Sequence, residues 1–281
     1  YVMIRILVDS SADYCLDDMK EKNIELVPMK INIGNSEYIE GENLERNEFY
    51  EKLRESDDFP KTSQPSPQEF ADVFNDVKEK GDEIICILLS SALSGTYQSA
   101  VLAKGMVDYE GIYIIDSLTA TVCIKIMADY AKKLISENKA AQEIVDSLEE
   151  LKKRIKCLAI IDTLEYLHRG GRLSKTAATV GEAVNIKPII TLTEDGEVGV
   201  VKKCIGKKQG AMQLRRLIKE YKSDSRFPVY SVYSYGTENA EKMEEKLEKE
   251  GWKADERLQI GPTIGTHIGP EAFGVIFVAE K

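Results

Sequence analysis

Short apolar runs alternate with longer amphipathic segments through the first half of the chain. The runs that are short enough to be buried strands are Met3–Val8, Ile24–Ile33, Ile84–Leu89 and Ile112–Ile115. Helical periodicity or helix-capping residues mark the segments 11–21, 45–56, 67–81, 97–105, 119–137 and 140–156. Strands that alternate with helices pair in parallel and carry helices on both faces. We therefore expect a three-layer α/β/α domain with a parallel sheet over residues 1–156.

The pattern changes from residue 157 onward. Predicted strands cover Leu158–Asp162, Ile186–Leu192, Val198–Cys204, 228–235, 253–260 and Phe273–Ala279, and predicted helices cover Thr176–Ala183, 207–222 and 238–250. Asp195-Gly196 between two of these strands is a hairpin signal. A hairpin and few helices indicate a second, two-layer α/β domain with a mixed sheet over residues 157–281.

Two segments carry specific local signals. Ser66, Pro67 and Glu69 form a capping box with proline in the first helical position, and Gly81 is a suitable helix end. Ser11 is a plausible cap for the helix that follows the first strand. Pro262 and Pro270, by contrast, argue against a simple helix in the glycine-rich segment 261–270.

The strand Ile84–Leu89 leads into a turn rich in hydroxyl groups. Ser90, Ser91, Ser94 and Thr96 lie there, just before the next predicted helix. The first N–H groups of a helix have no intrahelical partner and attract anions, so this turn is a candidate carboxylate site. Thr62 is a second candidate hydroxyl donor. The alternative is that Ser94 only caps the helix and that Thr62 only stabilises a turn.

Composition narrows the class of function. The 281 residues carry a net charge of −10, whereas nucleic-acid binders usually show a basic footprint. No apolar stretch approaches the roughly 20 residues that cross a bilayer, and no signal segment is recognisable at the start. The five cysteines form no Cys-x-x-Cys pair, and we expect free thiols in a reducing cytoplasm. Two histidines exclude a multi-histidine metal site, so neither metal nor cofactor is expected.

Other candidate residues leave the chemistry open. Asp9 and Asp116 follow predicted parallel strands, where ligands often bind. His267 lies among glycines, Arg172 follows Gly170-Gly171 and is suited to an anion, and Arg169 is expected to be a solvated charge. Phosphate-binding and dinucleotide-binding glycine motifs and the Gly-x-Ser-x-Gly elbow are absent. A serine hydrolase with Ser94, His267 and Asp9 or Asp116 remains an alternative to a binding protein.

Six sequence blocks in order resemble the signature of one family. They are Asp9-Ser10-Ser11-Ala12-Asp13, Thr62-Ser63-Gln64-Pro65-Ser66, Ser90-Ser91 through Ser94-Gly95-Thr96-Tyr97, Asp116-Ser117, Gly170-Gly171-Arg172 and Gly265-Thr266-His267-Ile268-Gly269-Pro270. The chain is similar over about residues 3–279 to the DegV family, the bacterial fatty-acid-binding subunits of fatty acid kinase, which serve phospholipid synthesis. The resemblance implies the two-domain fold described above, with the carboxylate near the first domain and the acyl tail in the second.

The resemblance also implies residue roles. Thr62 and Ser94 would hold the carboxylate with His267 close by, and Arg172 would lie near the head group or help an ATP-dependent kinase subunit. Further residues of the implied ligand site are Gly95, Ser63, Asp9 and Ser117. The protein would not be catalytic alone, and its contact with membranes would be at most transient. Glu271 stands where the family usually has the second glycine of Gly-Pro-Gly, which puts backbone contacts after Pro270 in doubt.

Overall fold

The computed structural model describes residues 2–175 and 185–281. The helix predicted over Thr176–Ala183 lies outside the described residues. In the first part of the chain the strands are β1 (Ile4–Asp9), β2 (Ile24–Val27), β3 (Lys30–Ile33), β4 (Ser36–Ile39), β5 (Lys61–Ser63), β6 (Glu83–Leu88) and β7 (Ile112–Asp116). The α-helices of this part are α1 (Leu16–Lys22), α2 (Arg46–Glu55), α3 (Pro67–Lys80), α4 (Thr96–Val107), α5 (Val122–Ser136) and α6 (Ala141–Leu151).

The second part of the chain combines one large sheet with shorter helices. Its strands are β8 (Ile155–Ile160), β9 (Ile186–Leu192), β10 (Val198–Ile205), β11 (Tyr230–Tyr233), β12 (Glu256–Gln259) and β13 (Phe273–Val278). Its described helices are α7 (Glu165–Arg169), α8 (Lys207–Ile218), α9 (Glu238–Lys249) and α10 (Pro262–Ile268). The strand β8 thus begins two residues before the position at which the sequence suggests a second domain.

A parallel four-stranded sheet forms the centre of the first part. Its order is β2-β1-β6-β7, and every pair is parallel. Alternate side chains of each strand point to opposite faces. Leu7 and Cys86 pack with the apolar faces of α3 and α4, whereas Ile6 and Ile85 pack with α5 and α6. This is the three-layer α/β/α arrangement that the sequence predicts.

The capping signals around α3 are confirmed. The Ser66 hydroxyl accepts the Glu69 N–H, and the Glu69 carboxylate accepts the Ser66 N–H. Pro67 occupies the first helical position, and Gly81 ends the helix with a left-handed φ of +68°. Because these signals are local, they are readable without knowledge of the tertiary structure.

The segment Ile24–Ile33 is two strands rather than the single strand predicted. Pro28 lies between β2 and β3. Proline has no N–H to donate to a ladder, and the chain leaves the parallel sheet at this point. The strand β3 instead pairs antiparallel with β4 and β5, and its register places Ile31 opposite Thr62.

The prediction that Ser11 caps a helix is wrong. Ser10–Ala12 forms a single 3₁₀ turn that is capped by Asp9, because the Asp9 carboxylate accepts the Ser11 N–H at 2.8 Å. Asp13 then adopts a left-handed φ of +56°, and α1 begins only at Leu16.

The mixed sheet of the second part has the order β10-β9-β8-β13-β11-β12. Its β9–β10 hairpin turns at Gly196 with φ +78°, as the Asp-Gly signal predicts. One face packs under α8 and α9 through Leu158 and Ile160, and the other turns Ala159 toward the first part of the chain. The helices α8 and α9 therefore cover one face, and the opposite face adjoins the parallel-sheet domain.

The glycine-rich segment 261–270 contains the short helix α10, contrary to expectation. Pro262 stands in the first helical turn, where its missing N–H costs nothing. Gly265 lets the helix approach closely, since a Cβ there would lie 2.5 Å from the Tyr50 hydroxyl and 2.9 Å from the Phe49 ring. Gly269 ends the helix with φ +81°. The prolines delimit the helix instead of preventing it.

Candidate functional site

A largely apolar cavity lies between the parallel-sheet domain and the face of the mixed sheet opposite α8 and α9. Its apolar lining comes from both parts of the chain and includes Met29, Leu89, Leu93, Cys157, Ala159, Leu167, Ile190, Val198, Val232 and Ile264. Its polar lining comprises Thr62, Ser94, Thr121, Arg172, Thr191, Thr263 and His267. An apolar cavity with a few convergent polar groups is the usual form of a small-molecule site.

Thr62 and His267, which lie 205 residues apart, meet at this cavity. Thr62 comes from β5, which the antiparallel register with β3 holds in place. His267 comes from the last turn of α10. The Thr62 Oγ1 and His267 Nε2 atoms are 3.2 Å apart, which is a hydrogen bond. The two residues form a polar pair with one hydroxyl and one imidazole.

The imidazole of His267 is held in a confined position. A Cβ on Gly170 would collide with the ring, so glycine at this position lets the imidazole lie against the backbone. The His267 Nδ1 atom is buried and has no hydrogen-bond partner among the described residues. Burial, together with the nearby charge of Arg172, lowers the pKa of His267 to about 4. The ring is therefore neutral at pH 7, with one nitrogen a donor and the other an acceptor.

Arg172 brings the permanent positive charge of the cavity lining. Its Nε atom donates to the Leu93 carbonyl at 3.2 Å, and its guanidinium also donates to the Gly170 carbonyl. It thereby joins the Gly170-Gly171 turn to the hydroxyl-rich turn after β6. Arg169 differs, because its side chain is 54% exposed, pairs with Glu165 and stacks on Phe59, as expected of a surface charge.

Ser94 is not the N-cap of α4. That position belongs to Gly95, which offers no side chain, while the Ser94 Oγ accepts the Thr96 N–H at 3.2 Å and lies 2.8 Å from the Thr96 hydroxyl. Ser94 thus supports the start of the helix from one residue further out, and its hydroxyl still lines the cavity. Ser94 can support the start of α4 and contact a ligand at the same time, because a hydroxyl oxygen has two lone pairs and one proton.

The remaining predicted site residues lie outside the cavity lining. The Asp9 carboxylate is fully buried and accepts the N–H groups of Ser11 and Leu89, both at 2.8 Å, which ties the ends of β1 and β6 together. Burial raises the pKa of Asp9. Ser117 donates to the Thr119 carbonyl, and Ser63 accepts from Asn32 at 3.4 Å. The side chain of Gln64 covers Gly95.

The described residues do not form a Ser–His–Asp array. Ser94 forms a hydrogen bond with Thr96, whereas His267 forms one with Thr62. Asp116 accepts from the Ser91 and Leu118 N–H groups and from the Ser91 hydroxyl, so it does not orient an imidazole. A nucleophile and its base must lie within hydrogen-bond reach, and this arrangement gives no support to the hydrolase alternative.

A buried acidic cluster behind α10 was not singled out from the sequence. The Gly261 N–H donates to Asp13 at 3.0 Å, and the Thr263 hydroxyl donates to Glu40. Burial raises the pKa of Asp13, and burial with the charge of Asp13 raises the pKa of Glu40. Asp13 lies within a recognised block, but nothing in the local sequence distinguishes Glu40 from the other acidic residues of a chain that contains 48.

Neither a metal-binding cluster nor a membrane-spanning helix is present among residues 2–175 and 185–281. None of their histidine, cysteine, aspartate and glutamate side chains gather in threes in a way that would hold a metal ion. None of their helices combines the length and apolar character required of a membrane span.

Comparison with known proteins agrees with this geometry. A family model described as an uncharacterised protein of the DegV family matches residues 3–280. A DegV domain-containing protein of Caldanaerobacter subterraneus is 38% identical over 98% of each chain. A structure described as fatty acid binding of a DegV family protein from Thermus thermophilus superimposes with a TM-score of 0.89 at 28% identity, over 99% of this chain and 100% of that one.

A further structure connects the fold with a named ligand. A stearic-acid-binding protein from Eubacterium ventriosum superimposes with a TM-score of 0.87 at 25% identity and covers 99% of this chain and 98% of its own. Family model, sequence relatives and fold all extend over nearly the whole length. The chain belongs to the DegV family.

Proposed function

We propose that this protein binds a long-chain fatty acid and presents its carboxylate to a separate ATP-dependent kinase. The observation that carries the proposal is the cavity itself, whose lining is apolar along the mixed sheet and polar where Thr62, Ser94, His267 and Arg172 meet. A fatty acid has the same division into a long apolar tail and one anionic head. The fatty acids named for the DegV structures from Thermus thermophilus and Eubacterium ventriosum support this choice of ligand.

The tail supplies most of the affinity. Burial of about 15 methylenes at ~0.8 kcal/mol each releases on the order of 12 kcal/mol before costs. The loss of freedom of the tail and of the ligand as a whole offsets several kcal/mol of this binding free energy. The cavity volume is only about 80 Å³, so the side chains that line it must move apart to admit a full tail.

The polar residues position the head group. Arg172 offers a charge and planar donors, Thr62 and Ser94 offer hydroxyls, and the neutral His267 offers a single N–H. A hydrogen bond to a charged carboxylate contributes about 1.5–3 kcal/mol. A carboxylate that replaces the internal bonds between these groups would hold them together through its own oxygens.

The kinase step requires a second protein in this proposal. The kinase transfers the γ-phosphoryl group of ATP to one carboxylate oxygen, which yields acyl phosphate and ADP. Thr62, Ser94 and Arg172 are partly exposed, so the head group would remain within reach of a docked partner. This chain supplies the bound, oriented acceptor and takes no part in the chemistry of phosphoryl transfer.

The test begins with the purified protein itself. Denaturation followed by mass spectrometry of the extract should release a fatty acid, and the delipidated protein should bind added C14–C18 acids. An empty extract together with no binding of added acids would contradict the proposal.

The kinase step is tested with matched serine variants and a purified DegV-partner kinase. Ser94→Ala should lower the rate of acyl-phosphate formation by about tenfold, the equivalent of one charge-assisted hydrogen bond. Ser66→Ala removes a hydroxyl from the α3 cap, away from the cavity, and should leave the rate unchanged. Equal losses in both variants would indicate a folding effect instead.

A further inference from the structure

Two carboxylates meet behind the helix that carries His267. Asp13 is 1% exposed and Glu40 is 5% exposed. A Cβ at Gly261 would lie 2.6 Å from Asp13 Oδ1 and 2.5 Å from Glu40 Oε1. Both oxygens therefore crowd the same backbone position, within about 5 Å of each other, a separation at which two buried carboxylates disfavour each other's ionisation.

The surroundings do not neutralise both charges. The nearest cation, Arg46, donates to the Gln259 and Tyr14 carbonyls, and no hydrogen bond joins it to either carboxylate among the described contacts. Asp9 adds a further buried carboxylate that acts on Asp13, and the Tyr50 hydroxyl donates to the Ile260 carbonyl. Because a single cation only partly offsets the negative charges of two close carboxylates, the pair favours retention of a proton.

The pair anchors the first turn of α10. Asp13 accepts the Gly261 N–H at 3.0 Å and the Thr121 hydroxyl at 2.6 Å, while Glu40 accepts the Thr263 hydroxyl. Thr121 and Thr263 line the cavity themselves. The last turn of the same seven-residue helix brings His267 to Thr62. A shift of the anchored turn thus moves the polar end of the ligand site.

Solvent has a route to the pair. A groove on the far side of α10 is lined by Glu40, Arg46, Tyr14 and Pro262. Its lining is separate from that of the ligand cavity, so protons can exchange from the groove while a ligand occupies the cavity.

We propose that Asp13 and Glu40 share one proton and act as positioning residues that set the affinity of the fatty-acid site through α10. In the singly protonated form, one negative charge lies beside Gly261, and the helix stays anchored by the Gly261 N–H and the Thr263 hydroxyl. Loss of that proton places two negative charges around Gly261, and their repulsion displaces the first turn of α10. The proposal rests on fatty-acid binding by this chain, and it adds a means by which pH controls that binding.

The decisive experiment is the pH profile of fatty-acid affinity between pH 6.5 and 9, measured with delipidated protein and a fluorescent C16 acid. In this range His267 stays neutral, because its pKa is about 4. The wild-type affinity should fall by about tenfold for each pH unit above the ionisation of the pair. Glu40→Gln, which imitates the protonated acid and keeps both hydrogen-bonding functions, should bind with an affinity that is independent of pH.

Two controls separate the possible failures. Glu42→Gln changes an exposed carboxylate in the same groove and should reproduce the wild-type profile. Glu40→Ala should bind weakly at every pH, because Thr263 loses its acceptor, and a thermal melt shows whether the variant is folded. A Glu40→Gln profile that falls like the wild type would overturn the positioning role. Absence of binding by the wild type at pH 6.5 would instead overturn the proposed function.

Discussion

The two ends of α10 have opposite electrostatic environments although they lie within seven residues. At the cavity end, burial and Arg172 lower the pKa of His267 and keep the imidazole unprotonated. At the anchored end, burial raises the pKa values of Asp13 and Glu40, and the charge of Asp13 further raises the pKa of Glu40, which favours a retained proton. Near neutral pH, both ends thus minimise buried charge, one by excluding a proton and the other by keeping one.

This difference assigns the two ends different tasks. A neutral imidazole beside a fixed guanidinium suits an anionic ligand, which brings a negative charge to that end of the helix. An acid pair that shares a proton suits an anchor. The strength with which the pair holds α10 changes with pH, whereas the place of the two residues in the fold does not.

The largest expected effect is on the pH dependence of folding stability, since each unit of pKa shift corresponds to ~1.4 kcal/mol. The carboxylates have raised folded-state pKa values, so their contribution is present at low pH and is lost as the pH rises from about 4, the unfolded value, through their folded values. His267 has a lowered pKa, so its contribution is present above about 6.5 and is lost as the pH falls to about 4.

Urea unfolding from pH 4 to 9 measures both trends. Between about pH 6.5 and 8 the carboxylate pair changes its contribution and His267 does not, so Glu40→Gln should reduce the decline of the unfolding free energy there and His267→Gln should leave it as in the wild type. Between about pH 4 and 6.5 the two contributions change in opposite directions, so Glu40→Gln should make the unfolding free energy rise more steeply with pH and His267→Gln should remove the rise. If both substitutions change the slope below pH 6.5 in the same direction, the two ends of α10 are not electrostatically separate.

The next effect concerns the packing of α10 against α2. Gly265→Ala places a methyl group 2.5 Å from the Tyr50 hydroxyl and 2.9 Å from the Phe49 ring. Overpacking of this kind costs about 1–3 kcal/mol of unfolding free energy. Because it shifts the whole helix, it should also weaken fatty-acid binding, as measured by titration calorimetry.

A second helical glycine provides the control. Gly105 lies in α4, and a Cβ there meets no atom within 4 Å. Gly105→Ala should therefore stabilise the protein by up to about 1 kcal/mol through helix propensity, with fatty-acid affinity unchanged. Similar destabilisation by both substitutions would refute the close packing of Gly265.

The smallest effect expected is that of Arg172→Gln. Loss of the guanidinium charge should weaken fatty-acid binding by about tenfold, as for one charge-assisted bond. It should also raise the pKa of His267 above about 4, though not to its ordinary value, since burial is the larger cause of the shift. An NMR titration of the histidine resonances checks this. An unchanged His267 pKa would show that Arg172 does not act on the ring.

The features predicted correctly from the sequence are those with local causes. Largely apolar runs predict β1, β6 and β7, the capping box predicts α3, and Asp-Gly predicts the β9–β10 hairpin. The sequence indicates four site residues by their type and their position at turns or strand ends. They are the hydroxyl residues Thr62 and Ser94, the imidazole of His267 and the guanidinium of Arg172, and the resemblance to a family assigns them to one ligand site. The structure brings all four to one cavity.

The features that the sequence did not reveal depend on contacts between distant segments. In the sequence alone, Pro262 indicates a break in helical structure. Its place in the first turn of α10 is evident only when the preceding chain is held in position by tertiary contacts. In the sequence, Glu40 resembles any acidic surface residue. It is buried because the end of β4, the turn after β1 and α10 pack together. Asp9 was assigned to the ligand site, whereas its carboxylate is occupied by two backbone N–H groups.

The alternation along β8 has a consequence for selectivity between tails of different length. Cys157 and Ala159 line the cavity, while Leu158 and Ile160 pack beneath α8 and α9. In the proposed complex, substitutions at the odd-numbered positions would therefore change the space available to the acyl tail, while the even-numbered positions keep the layer beneath α8 and α9. The strand thus divides tail preference and packing beneath these helices between alternate residues.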